Sequence, residues 1–274
     1  LKVDDNLEEA LLQVSGLSVH YRGRINQPAL DSVSFALRKG DTLGVIGESG
    51  AGKTTMALAV SGLLDMDAAV VSGAVVFEAR DLLKLSEREL CKMRGAGIGL
   101  ILQDPRASLD PCMRVNRQVA EAIRTHNRLS RAESNRMACK QLAEVGLDEE
   151  VLESAPFAHQ LSGGQAQRAM IAAALACSPR LLIADEPTSS LDVTTQAEIV
   201  RLLSDLQKQA GLAMIFISHD LALVSLVAES ILVLRDGRVI EHGDRAQVLN
   251  QPAHSYTRSV IESWERSRIS IGAR

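Results

Sequence analysis

Apolar and polar residues change period several times along this chain. Residues 12–20 and 30–37 alternate, as half-buried strands do, and residues 42–47 form a short apolar run ending in glycine. Helical spacing follows over 53–64. Residues 70–78 read as a pair of strands. From 86 to about 153 the pattern is mostly helical, with only 97–102 looking extended. Residues 181–184 and 212–218 are short apolar runs of the fully buried kind, and 195–210 between them has helical spacing. Strand, helix, strand in this order predicts a parallel sheet with crossover helices. Near the end, Asp236-Gly237 between apolar runs predicts a hairpin over 230–243. The helical middle reads as an insertion between two halves of an α/β core, and the charged stretch 265–274 as loosely held.

Composition narrows the class. A length of 274 residues is long for one domain and short for two. With 46% apolar but only 3% aromatic residues, the core must be built from Leu, Ile, Val and Ala. The net charge of −4 lacks the basic excess of a chain that grips nucleic acid, so nucleic acid is not an expected partner. Cys91, Cys112, Cys139 and Cys177 form no C-x-x-C pair, which suggests neither a zinc ribbon nor a redox motif and fits reduced thiols in a cytosolic compartment. Apolar runs such as 169–177 fall far short of the ~20 residues of a membrane span. The acidic N-terminal residues do not read as a signal peptide. These features together predict a soluble, cytosolic globular protein.

Residues 47–54 read G-E-S-G-A-G-K-T, directly after a strand-like run and directly before a helical one. That is G-x-x-x-x-G-K-[ST] in the context that supports a phosphate-binding loop. Gly47, Gly50 and Gly52 let the backbone curl so that its N–H groups face phosphate oxygens, and Glu48, Ser49 and Ala51 complete the loop. Lys53 neutralises the β- and γ-phosphates, Thr54 offers a hydroxyl to Mg²⁺, and Thr55 follows in the first helical turn. The helix N-terminus adds about 0.3–1 kcal/mol of attraction for the anion.

Residues 180–187 read R-L-L-I-A-D-E-P, four apolar residues and then two carboxylates. A buried parallel strand delivers such residues at its carboxyl end, where open α/β sheets bind ligands. Asp185 can hold Mg²⁺ through water, and Glu186 can act as general base on an attacking water. An Asp-Glu pair closing a strand is by itself usually a solvated turn; beside the lysine loop the catalytic reading prevails. No N-K-x-D or T-K-x-D element for guanine occurs, which favours ATP.

Residues 161–165 read L-S-G-G-Q, with Ser162, Gly163, Gly164 and Gln165 at the start of a small-residue helix. A second anion nest is more than one nucleotide requires, and it would naturally grip the nucleotide of a second subunit. Here the sequence closely resembles the ATP-binding cassette (ABC) ATPases, over residues 10–262. The resemblance implies a P-loop NTPase core with a mainly parallel sheet, an N-terminal antiparallel β subdomain, an inserted helical subdomain at about 104–160, and a polar tail over 263–274. It implies that Gln103 reaches Mg²⁺, that Ser189 to Asp192 cross a dimer interface, that His219 contacts the γ-phosphate, and that Tyr21 stacks on adenine. Ser190 departs from the commoner alanine, and Ala166 from the Arg or Gln that often follows the signature.

Signature-bearing ATPases of DNA repair carry long coiled coils between the lysine loop and the signature, and cassette translation factors usually carry two cassettes; neither pattern is present. The resemblance therefore implies the ATPase subunit of a membrane transporter, lying on the cytoplasmic face of the inner membrane. Its partners would be a second cassette subunit (identical or paralogous), two transmembrane permeases and, indirectly, a substrate-binding protein. Residues 94–111 and the closing P-A-H-S-Y-T-R-S-V of 252–260 resemble the oligopeptide, dipeptide and nickel uptake subfamily. No cysteine follows Cys177, unlike many peptide importers with a cysteine-bearing tail, which keeps nickel or metal-chelate uptake beside peptides.

Overall fold

In the computed structural model, which describes residues 10–23 and 27–272, burial along the first strand changes phase at a glycine. In β1 (Ala10–Tyr21), Leu12 and Val14 are buried on one side of Gly16, and Leu17 and Val19 on the other. Strict alternation would turn the second pair to the opposite face. A single extra residue reconciles them: the register against β4 (Ala69–Phe77) shifts between Ser15 and Ser18, and Gly16 sits at φ +58°. The facing Gly73 lies so close that a Cβ there would run into the Gly16 carbonyl.

The described residues fall into two compact units, one reaching Leu85 and resuming at Ala213, the other Ser86–Leu212. In the first, an antiparallel sheet has the order β2 (Leu30–Arg38), β1, β4, β5 (Arg80–Asp81). The expected pair of strands over 70–78 is instead one strand whose partner comes later. The connecting turn uses Glu78 and Ala79 at φ +48° and +61°, and neither is the glycine that advertises such a turn in sequence. The same unit holds β3 (Thr42–Ile46), β8 (Ala213–Ile217), β9 (Ser230–Arg235) and β10 (Arg238–Asp244), in the order β10-β9-β3-β8. β3 runs parallel to both β8 and β9, and β9 and β10 form the expected hairpin around Asp236-Gly237. Every residue of β3 and β8 is buried, which explains their unbroken apolar character.

Helix α1 (Lys53–Val60) follows β3 and stops short of the expected end at 64; Gly62 at φ +67° lies just past its end. The unit is completed by α9 (Leu221–Val227), α10 (Arg245–Asn250) and α11 (Ser255–Gly272). Buried Tyr256, Thr257 and Ile261 anchor α11, and the helix continues through the polar stretch after 263 rather than ending there.

The second unit contains α2 (Glu87–Met93), the parallel strands β6 (Ile98–Ile101) and β7 (Leu181–Asp185), and helices α3 (Pro105–Ser108), α4 (Val115–His126), α5 (Arg131–Glu144), α6 (Glu149–Ser154), α7 (Gly163–Leu175) and α8 (Val193–Ala210). The boundaries are written in the side chains: Ser86 with Glu89 and Ser130 with Glu133 form capping boxes at the starts of α2 and α5. The apolar face of α4 (Val119, Ile123) and that of α5 (Ala138, Leu142) supply the unit's helical core. Among the described residues no helix is long and apolar enough to cross a membrane, and all four cysteines are free.

Candidate functional site

The loop of residues 47–52 leaves buried β3 and enters α1 at Lys53. Gly50 and Gly52 sit at φ +83° and +103°, and a Cβ on Gly52 would strike the Ala29 carbonyl. A Cβ on Gly47 would strike the Leu234 carbonyl, so the loop's glycines answer to close backbone approach as well as to turning. The Lys53 ammonium donates to the carbonyls of Gly47 (2.8 Å) and Glu48 (3.0 Å), and the residue is buried. Its charge thus bridges one arm of the loop to the helix. Glu48, Ser49 and Thr54 are exposed.

Tyr21, the last residue of β1, brings its hydroxyl to 3.4 Å from that of Thr55, placing the aromatic ring beside the first turn of α1. His219 is exposed just beyond β8. Its turn is fixed on both sides: the Ser218 hydroxyl accepts the Asp220 N–H (3.0 Å), and the Asp220 carboxylate accepts that of Ala222 (2.7 Å), capping α9.

In the second unit, β7 ends at buried Asp185. The next residue, Glu186, is half-buried at φ +49°, a conformation that costs a non-glycine residue energy and tends to occur at functional positions. Ser162 caps α7: its hydroxyl accepts the Gln165 N–H (3.2 Å), while the Gln165 amide oxygen accepts the Ser162 N–H (2.9 Å). A Cβ on Gly163 would lie 3.3 Å from the Leu191 side chain, and one on Gly164 would lie 2.9 Å from that of Thr195. The unit therefore brings Gly163 against Leu191 of the S-S-L-D segment and Gly164 against the first turn of α8. Asp192 of that segment caps α8, accepting the Thr195 N–H (3.1 Å) and hydroxyl (2.8 Å); these bonds hold its carboxyl below the ordinary range. Gln103 is exposed after β6, and Asp104 beside it caps α3.

Lys53, Tyr21 and His219 belong to the first unit, and Gln103, Ser162–Gln165, Asp185, Glu186 and Asp192 to the second. The donors expected to meet Mg²⁺ are a hydroxyl (Thr54), an amide oxygen (Gln103) and a carboxylate (Asp185), an all-oxygen set suited to that hard cation. Three further residues carry structure that the motifs do not announce. The Gln196 amide donates to the carbonyls of Thr188 (3.1 Å) and Leu191 (3.0 Å), holding the S-S-L-D turn. Arg106 of α3 donates to the Leu161 carbonyl (3.0 Å). Tyr256 of α11 lies under the Arg235 guanidinium, 4.6 Å from ring centre, and burial together with the Glu48 carboxylate pushes its phenol up. Arg106 and Tyr256 act through contacts far apart in sequence, and Gln196 through backbone carbonyls that no spacing rule singles out, so no local motif marks them.

The family described as ABC transporter matches residues 30–189. The probable peptide ABC transporter ATP-binding protein y4tR of Sinorhizobium fredii is 44% identical over 257 residues, covering 93% of this chain and 77% of that protein. The dipeptide transport ATP-binding protein DppD of Escherichia coli is 42% identical over 256 residues, covering 93% and 78%. Among solved structures, a dimeric ATP-binding cassette in a post-hydrolysis state with ADP and Pi superimposes with a TM-score of 0.77 at 28% identity, covering 85% of this chain and 98% of that one.

Proposed function

We propose, for a chain that belongs to the ABC transporter family, that it works as one of two paired cassettes whose ATP hydrolysis energises peptide import. ATP binding and hydrolysis come with the family. The peptide cargo is supported by the names of the relatives, dipeptide and peptide transport proteins. The pairing is supported most directly by two separate anion-binding features on one chain, the Lys53 loop and the self-capped Ser162 helix start.

In this reading Lys53 exchanges its two loop carbonyls for β- and γ-phosphate oxygens, and Tyr21 stacks on adenine for about 1–3 kcal/mol. Mg²⁺, held by Thr54, Gln103 and Asp185, supplies counter-charge when bound. Glu186 takes the proton of the water that attacks the γ-phosphorus, the bond to the β-phosphate oxygen breaks, and ADP and phosphate leave. General-base help of this kind contributes typically ~10²–10⁴-fold. His219 holds the γ-phosphate. Ser162, Gly163, Gly164 and Gln165 grip the nucleotide seated on the other cassette, and Asp192 lies on the crossing loop. Two permeases dock at residues 103–115 on the cytoplasmic face of the membrane, and a binding protein delivers the peptide to them.

The test mixes two inactive proteins. Lys53→Ala and Ser162→Arg chains should each be nearly dead alone, yet a mixed dimer contains one site with an intact loop and an intact signature. Recovery of part of the ATPase activity on mixing supports the reading. Full, concentration-independent turnover by a monomer would sink it.

A further inference from the structure

The Arg106 side chain reaches from the segment after Gln103 to the residue before the signature serine. Asp104, next to Gln103, caps α3 by accepting the N–H groups of Arg106 (2.9 Å) and Ala107 (3.1 Å). The Ser108 hydroxyl donates back to the Asp104 carbonyl (2.6 Å). The four-residue helix is thus stiffened by side chains at both ends, with Pro105 buried beneath it. From this platform the Arg106 guanidinium donates to the carbonyl of Leu161 (3.0 Å). Leu161 is buried and immediately precedes Ser162, whose hydroxyl begins α7. Helices α3 and α7 also pack against each other.

We propose that Arg106 is a positioning residue that ties the Gln103 segment to the signature, so that a shift of α3 moves Ser162 and Gly163 with it. The covalent path from α3 to Ser162 runs through helices α4, α5 and α6, whereas a charge-assisted bond to the peptide group before Ser162 acts on the helix start directly. Nothing in the motif pattern assigns this arginine a task. The proposal rests on the reading that the signature grips the nucleotide of a second cassette.

The experiment uses the full chain with Glu186→Gln, which slows hydrolysis and lets an ATP-bound pair accumulate. Two quantities are read: ATP affinity at protein concentrations where the chain is monomeric, and the protein concentration for half-dimerisation in saturating ATP. Adding Arg106→Met should raise the half-dimerisation concentration about tenfold, as expected for losing a charged hydrogen bond, with monomer affinity within about twofold. Arg106→Lys, which can still donate to the carbonyl, should restore most of the dimerisation. Unchanged dimerisation in Arg106→Met, or a parallel loss of monomer affinity, overturns the role given to Arg106. If the Glu186→Gln chain pairs in ATP neither with itself nor with a paralogous cassette, the shared-nucleotide reading falls, and the proposal with it.

Discussion

The N–H of Gly237 donates to the carbonyl of Ala51 at 3.1 Å, so the turn of the β9–β10 hairpin holds the loop of residues 47–52 from outside. The loop's shape therefore depends on residues far from the G-E-S-G-A-G-K-T stretch. Gly237 sits at φ +75°, and a Cβ there would come 2.9 Å from the Ala29 carbonyl. Gly237→Ala should cost about 1–2 kcal/mol of stability and weaken ATP binding severalfold, read by thermal unfolding and nucleotide titration. Lower stability with unaltered ATP affinity would show that the turn does not shape the loop.

Glu186 combines a catalytic assignment with a strained backbone. Glu186→Gln should bind ATP normally and hydrolyse it ~10²–10⁴-fold more slowly. Glu186→Asn should lose hydrolysis equally but match or exceed the parent in stability, because Asn tolerates the left-handed region better. Equal turnover in Glu186→Gln removes the residue from the role, and a destabilised Glu186→Asn chain would argue that its conformation is not strained.

Removing the Lys53 ammonium would take away the phosphate partner proposed above together with its bonds to the Gly47 and Glu48 carbonyls. Lys53→Ala should lower ATP affinity at least about tenfold, the scale of one charge-assisted hydrogen bond. It should also lower the unfolding temperature of the nucleotide-free chain. A variant that binds less ATP but melts unchanged would mean the bracing bonds contribute nothing to folding.

Glu241 gives a pH signature to the C-terminal region. Burial alone would raise its pKa, but the nearby Thr257 hydroxyl and the N–H groups of Ala253 (2.7 Å) and His254 (3.1 Å), which donate to the carboxylate, bring the net value below the ordinary 4.5. Its contribution is therefore complete above pH 4.5 and disappears as pH falls through the lowered folded value. Glu241→Gln should be about 1–2 kcal/mol less stable than the parent at pH 6, with the gap closing in acid. Urea unfolding across that range reads it, and a gap independent of pH would refute the assignment.

Much of the fold was legible because local patterns were unambiguous: the buried runs of β3, β7 and β8, the Asp236-Gly237 hairpin, and the glycine-lysine loop between a strand and a helix. What escaped depended on residues without a local mark. Glu78 and Ala79 take left-handed turns without glycine, and Ser255–Gly272 is helical although its second half is polar, since Tyr256 and Ile261 anchor only its start. Arg106 and Gln196 were invisible for a related reason, each bonding to a backbone carbonyl that no spacing rule singles out.

The bulge at Gly16 has a chemical outcome beyond the geometry of the sheet. His20 and Tyr21 are neighbours at the end of β1. Counting by twos from Leu12 straight through Gly16, with no bulge to absorb it, would put His20 on the Leu12 and Val14 face and turn Tyr21 the other way. The bulge thus keeps a phenol rather than an imidazole beside Thr55. The ring proposed above to stack on adenine is thereby spared the change of charge that an imidazole undergoes near pH ~6.5.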